Sequence, residues 1–517
     1  MSEPDLPGGV RVSSTVVQYR AGARSGQQVP RASARSLTVL LGGVAFFVVL
    51  SYLALSSALA GAGPLGLAIP AALCALAVAA TAPVDRALGL LCLFVVTLPL
   101  GSVGVGPLQV VQLMAVVAAG GVLAVEAARG DFVPVPWPVG LPLAAMLVSA
   151  ALSTYVSPSP DVTFRLDVAL VVSVLLIAVT HSVISSAGRL RLVVRLLVAA
   201  AAVVGALSVQ GAGEAQVSNA GAVVTGRAVG IFEQPNELGI FCAMLLPVAA
   251  GLALAERGRR GRILATLGAL AILVGLVVSL SRGAWTGAVV GMLVFWALLP
   301  DRRRFLLPVA TAVGTIAALL VVLARVDIVA IVNQRLLSLF DGTQNPYDER
   351  PAIYAEARRQ ITDSPWIGQG PGAFAQVGTQ LNQDGYYLQA EHAHNIFLNT
   401  WAEYGLIGLL CLLGLMVGLA SRLLPGARSV RGRLDEAGPA LASRLLAGTT
   451  AGLVAVLAHG IVDYPFRNPV TSTTLWFLVG LAAASARVAL TYARTGGRTG
   501  RRTGGSRRAD PAVGAPS

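Results

Sequence analysis

Lysine is absent from the chain, so all 38 basic side chains are arginine, and only 12% of the 517 residues are charged. A soluble globular domain carries about 25% charged residues. The deficit, together with a mean hydropathy of +0.73, excludes a water-soluble enzyme held by a single anchor. Aromatic residues are also few, at 6%. The four cysteines, Cys74, Cys92, Cys242 and Cys411, all fall inside apolar runs. They offer neither metal-ligand spacing nor a loop disulfide, and read as small buried hydrophobes. The net charge of +13 comes without aromatic residues interleaved among the arginines, so stacking platforms for nucleic acid are missing and no nucleic-acid partner is expected. Arginine without lysine, amid much Ala, Gly, Val and Pro, reads as the codon bias of a G+C-rich genome.

What the chain has in abundance is apolar length. Hydrophobic residues make up 55% of it, enough for about fourteen crossings of about 20 residues each. The 57 glycines suit a helical bundle with close backbone contacts, whereas a membrane β-barrel alternates apolar and polar residues along each strand. The expected fold is therefore all-α, a polytopic transmembrane bundle. Candidate spans lie near 37–59, 64–82, 87–103, 106–125, 137–157, 167–184, 190–208, 238–255, 263–281, 284–299, 305–325, 396–420, 441–462 and 470–490. Pro99 shortens the third, and Pro134, Pro136, Pro138 and Pro142 break into the fifth, so the range is twelve to fourteen.

Orientation follows from arginine. The tails carry Arg11, Arg20, Arg24, Arg31 and Arg35 at one end and Arg494, Arg498, Arg501, Arg502, Arg507 and Arg508 at the other, which places both termini in the cytoplasm and makes the span number even. With fourteen spans, Arg257 to Arg262, Arg302 to Arg304 and Arg422 to Arg433 all fall in inner loops. The tails, 1–36 and 491–517, lack periodic apolar residues and read as disordered and basic, in contact with anionic headgroups of the bilayer.

The same topology sends four polar segments outward: 226–237, Ser279 to Trp285, the long loop 326–395, and His459 to Pro469. Arginine is disfavoured in translocated loops, so Arg227, Arg282, Arg350 and Arg467 call for a reason. An anionic ligand supplies one, because guanidinium binds phosphate oxygens bidentately; the competing reading is snorkelling, or an ion pair with a loop carboxylate. Within the long loop, 349–362 places Ile353, Ala357 and Ile361 on one face of an amphipathic helix expected at the interface. His392 and His394 form an H-x-H pair, but no cysteine is near to complete a zinc shell, and no metal is expected. A neutral imidazole there, or a carboxylate such as Glu391, Glu403 or Asp463, can instead take a hydroxyl proton as general base. The structural alternative is that His394 and Asn395 merely close a helix end. His181, at the other end of the sixth span, reads as structural.

The succession Arg227-x-x-Gly-x-Phe-x-x-Pro-Asn236, Ser281-Arg282-Gly283, Arg350 with Pro365-x-x-Gly368-x-Gly370-x-Gly372-x-Phe374, His394-Asn395 and Glu403-x-Gly405-x-x-Gly408 resembles the O-antigen ligase and polymerase superfamily. The resemblance covers roughly 220–470, including His459 and Asp463, and delimits a transmembrane core at 211–490 after N-terminal helices at 37–210. It implies a membrane-embedded GT-C type glycosyltransferase, metal-independent and without cofactor. Such an enzyme works on the outer face of the cytoplasmic membrane with an undecaprenyl-diphosphate-linked glycan as donor and a glycan, lipid or protein as acceptor. By that likeness Arg227, Arg282 and Arg350 bind the diphosphate, His394 assists the acceptor hydroxyl, and Asn236, Asn395, His459 and Arg467 support the site. Attack opposite the leaving group implies inversion at the anomeric carbon. The departure is in span number, fourteen candidates against a usual count of about twelve. A high-G+C Gram-positive source would lack a lipopolysaccharide acceptor, favouring polymerisation or another cell-wall acceptor. The alternative from another class is a transporter, for instance of bicarbonate, which would favour internal repeats and midplane charges.

Overall fold

The computed structural model describes residues 85–105, 108–211, 215–217, 223–225, 227–300, 350–378, 381–383, 386–388, 390–430 and 435–503. The expected spans 37–59, 64–82 and 305–325, the N-terminal tail and the first part of the long loop lie outside these residues.

Each remaining apolar run forms a helix. In chain order they are α1 (Arg86–Val96), α2 (Val110–Arg129), α3 (Trp137–Tyr155), α4 (Pro160–Val183), α5 (Ala187–Leu207), α6 (Pro235–Ala255), α7 (Arg259–Val278) and α8 (Arg282–Leu298). Beyond the long loop come α11 (Ile396–Ser429), α12 (Ala437–His459) and α13 (Pro469–Thr503); the loop itself holds α9 (Arg350–Asp363) and the short α10 (Phe374–Val377). Among the described residues, nine of these helices are long and apolar enough to cross a membrane. The fold is an all-α polytopic bundle. Among the described residues, β-structure is confined to three two-stranded antiparallel hairpins, Gly104–Val105 with Leu108–Gln109, Ala215–Val217 with Val223–Thr225, and Leu381–Gln383 with Tyr386–Leu388.

The prolines act as their chemistry requires. Pro99 sits in a 3-10 turn that follows the 11-residue α1, which leaves that helix too short to span. Pro136 precedes α3 and Pro138 occupies its first turn, so α3 still reaches 19 residues with Pro142 inside it. At the far terminus, α13 runs through Thr503, past position 491 where the tail was expected to begin.

The centre of the bundle is α12, which packs most extensively against α6 and α8. Small residues permit the approach. A Cβ placed on Gly448 or Gly452 would stand 2.7 Å from the Pro247 carbonyl and 2.3 Å from the Met244 carbonyl of α6. This small-xxx-small spacing lets dispersion contacts and weak backbone interactions hold helices where lipid supplies no hydrophobic drive. At one end of the bundle arginines tie neighbouring helices together. Arg195 forms a two-bond pair with Glu256 (2.7 Å for each bond), Arg444 donates to the Leu254 carbonyl, and Arg487 donates to the carbonyls of Ser182 and Ile184. The opposite end gathers the polar loops.

Candidate active site

The site is assembled where the long loop enters α11. Asn395 caps that helix, its side chain accepting from the backbone N–H of Phe397 and Leu398 (2.9 and 3.0 Å), while its Nδ2 donates to the Ile461 carbonyl (2.9 Å). The Ile396 N–H donates to the Gly460 carbonyl at 2.7 Å. These bonds strap the start of α11 to the loop after α12. Between them His394 adopts φ 47°, a left-handed conformation that costs a non-glycine residue energy and is characteristic of constrained functional positions. Its Nδ1 lies 3.2 Å from Asp463 Oδ1.

Asp463 is the hub. His392 Nε2 stands 3.6 Å from its Oδ1 and His459 Nε2 3.6 Å from its Oδ2, so three of the chain's four histidines face one carboxylate. The Tyr464 N–H also donates to Oδ1, at 2.8 Å. Burial works to raise the Asp463 carboxyl, but hydrogen bonds from the three imidazoles outweigh it and hold the group well below the usual carboxylate range. Burial pushes His392 down, against the charged imidazolium. With ionised Asp463 accepting from Nδ1–H, the hydrogen-bond network assigns His394 the tautomer whose Nε2 carries a lone pair. His392, His394 and Asp463 also form a group that could hold a metal ion, their ligand atoms lying within 4.8 Å of one another.

The arginine segments converge on the same place. Arg227 donates from Nε to the Ser279 carbonyl (3.2 Å) and from Nη2 to Asn236 Oδ1 (2.8 Å). Ser281 caps α8 by accepting from Ala284 N–H, which sets Arg282 at the first turn. Gly283 follows, and a Cβ there would stand 2.7 Å from the His459 ring. Arg350, at the start of α9, donates to the Val462 carbonyl (3.3 Å), one residue from Asp463. Arg227 thereby ties two polar segments together, which gives this arginine a structural reason for its place.

Glu403 is held apart from the cluster, in the break of α11. Gly405 there has φ 67° and interrupts the helix, and the loop 365–372 inserts its backbone into the gap. Gly370 N–H donates to the Glu403 carbonyl (2.8 Å), Leu406 N–H to the Pro365 carbonyl (2.9 Å), and Gly372 N–H to Glu403 Oε1 (2.9 Å). A Cβ on Gly368 would meet the Glu403 carbonyl at 2.4 Å, and one on Gly405 the Trp366 carbonyl at 2.2 Å. The two glycine motifs are thus halves of one contact. Tyr464 OH, 3.4 Å from Glu403 Oε2, links this carboxyl to the imidazoles, its ring centroid 5.7 Å from that of His392.

Two larger spaces adjoin the cluster. A cavity of about 540 Å³ is lined by Arg165, His392, Glu403, Tyr464 and Arg467 among others. An apolar cleft of about 350 Å³ lies among α8, α11, α12 and α13. Phe466 and Trp476, stacked at 5.2 Å, line both spaces.

The structure thus brings together His394, Asp463, His459, Asn395, Asn236, Arg227, Arg282 and Arg350, with Glu403 joined through Tyr464. Glu391 instead forms an ion pair with Arg467 (2.6 Å), the bland reading of that arginine, and both line the larger cavity. The apolar face of α9 is also spent differently from the expectation of an interfacial helix. Ile353 and Ala357 pack with Phe374, Ala390, Ala393 and Ala402 of the protein, because the glycine-rich turn folds back over them. Roles were not read from sequence for Tyr464, Glu237 or Asn468. Glu237 accepts from Gln234 N–H and from Asn468 Nδ2 (3.0 Å), joining α6 to the loop of Asp463. The signal was available, since each lies in one of the four polar segments.

A bundle of apolar helices with three of its four imidazoles, the Asp463 carboxylate and the segments of Arg227, Arg282 and Arg350 gathered at one end defines a polytopic membrane protein with an embedded polar site. Residues 267–413 match the family model described as O-Antigen ligase. The likeness to an O-antigen ligase domain over this stretch supports a place in the superfamily of membrane glycosyltransferase-like ligases and polymerases. Arg282, Arg350, Glu391, His394 and Glu403 fall inside the matched stretch; Arg227, Asn236, His459, Asp463 and Arg467 lie outside it and are joined to it by the fold. Among curated proteins nothing matches the chain.

Proposed function

We propose that the protein transfers or polymerises a polyprenyl-diphosphate-linked glycan at the outer face of the cytoplasmic membrane, with both termini inside and without a metal. The observation that carries this reading is the His394–Asp463 pair set among the segments of Arg227, Arg282 and Arg350. Asp463 holds Nδ1–H of His394, and Nε2 accepts the proton of the acceptor hydroxyl. The hydroxyl oxygen attacks the anomeric carbon from the side opposite the diphosphate. The bond from carbon to the diphosphate oxygen breaks, the electron pair stays on that oxygen, and the arginines stabilise the charge formed. The outcome is inversion. The apolar cleft suits the isoprenoid tail, and the larger cavity, with polar groups and the Phe466–Trp476 pair, suits a saccharide.

The test is transfer by the purified chain from a polyprenyl-diphosphate glycan. His394→Ala should lose about a hundredfold to ten-thousandfold in rate, the range of a positioned acid–base group, with donor binding little changed. Undiminished transfer by that variant would remove His394 from the chemistry.

A further inference from the structure

We propose that Zn²⁺ binds at His392, His394 and Asp463 and, by occupying the group assigned as base, holds transfer off; the inhibitory half of this inference rests on the function proposed above. The donor set is the first reason. Two imidazoles and a carboxylate suit Zn²⁺ and its neighbours in the first transition row, whereas Mg²⁺ and Ca²⁺ prefer oxygen alone.

Geometry is the second. With bonds of about 2.0–2.1 Å, the edge of a tetrahedral zinc shell is about 3.3–3.4 Å. Here His394 Nδ1 and His392 Nε2 already stand 3.2 and 3.6 Å from one oxygen of Asp463. The third reason is room. A small cavity of about 40 Å³ is lined by His392, His394, His459 and Asp463, where one water-sized sphere needs about 10–15 Å³. His459, 3.6 Å from the other carboxylate oxygen, keeps Asp463 oriented from behind.

Binding has a defined chemical consequence. Zn²⁺ on Nδ1 of His394 displaces the proton now given to Asp463, moves the ring's proton to Nε2, and leaves no lone pair for the acceptor hydroxyl. The cation needed for chemistry elsewhere would here be an inhibitor, and a chelator would activate.

The experiment uses the full chain in detergent, free of donor, with gel filtration to confirm that each variant is folded. Calorimetric titration with Zn²⁺ should show one equivalent bound, and Co²⁺ in its place should give the visible absorption of a site with nitrogen and oxygen ligands. His392→Ala should weaken binding at least about tenfold. His181→Ala should leave it unchanged, because that residue lies on α4, outside the cluster. In the transfer assay Zn²⁺ should inhibit and EDTA should restore the rate. Absence of a stoichiometric site, or binding insensitive to His392→Ala, would overturn the site whatever the reaction. Stoichiometric binding without effect on wild-type transfer would overturn the inhibitory role while leaving the site. Failure of the base assignment is read separately, from normal transfer by His394→Ala.

Discussion

Asp463 orders more of the site than any other side chain, because a buried carboxylate must be paired and here three imidazoles share the task. Arg227 plays the corresponding part among the cations. It spans two segments with a planar fork, and Lys presents no fork. Arg227→Ala should therefore abolish glycan transfer and lower the melting temperature in detergent, and Arg227→Lys should recover the melting temperature more than the rate. A Lys variant with full transfer would show that the fork is not used on the diphosphate. The residues themselves were legible because charge is rare in this chain: His394, Asp463, Arg227 and Asn236 stand out against apolar surroundings. Their partners were less so. His459 stands four residues before Asp463, a helical spacing, but nothing in the position of His392 indicates that it faces the same carboxylate, since that depends on how the loop is strapped to α11.

At the scale of elements, hydropathy located the helices of the bundle, since a run of apolar residues long enough to cross lipid has few other uses, whereas α9 showed only in its amphipathic spacing and the four-residue α10 not at all. It could not reveal the break in α11, which depends on a single glycine and on a partner loop. Two glycines of that helix make opposite predictions. Gly405→Ala puts a side chain into a left-handed backbone, at about 1–2 kcal/mol, and sets its Cβ 2.2 Å from a carbonyl oxygen that cannot rotate away. It should lower stability by roughly 3 kcal/mol or more and take transfer with it. Gly414→Ala meets nothing closer than Pro142 Cγ at 3.5 Å and should be neutral or gain up to about 1 kcal/mol. Thermal unfolding of the two purified variants decides. Equal melting temperatures would mean that the inserted loop does not hold the break.

For the whole molecule, the arginine asymmetry and the polar site assign opposite ends of the bundle to opposite sides of the membrane. A cysteine at Ser364, half-buried at the end of α9, should be labelled by an impermeant reagent on intact cells. Labelling only after lysis would reverse the orientation. Packing between distant helices was beyond reach of the sequence, because small residues such as Gly448 and Gly452 mark a close contact without naming the partner. The glycine contact at Gly405 also bears on how the chain is made. A helix interrupted within a bilayer has backbone groups that neither lipid nor the helix itself can satisfy. The segment that satisfies them, 365–372, precedes α11 in the chain, and so leaves the ribosome before the interruption does. The loop is in hand when the broken helix arrives, and at no stage of biogenesis must the gap wait for a piece not yet synthesised.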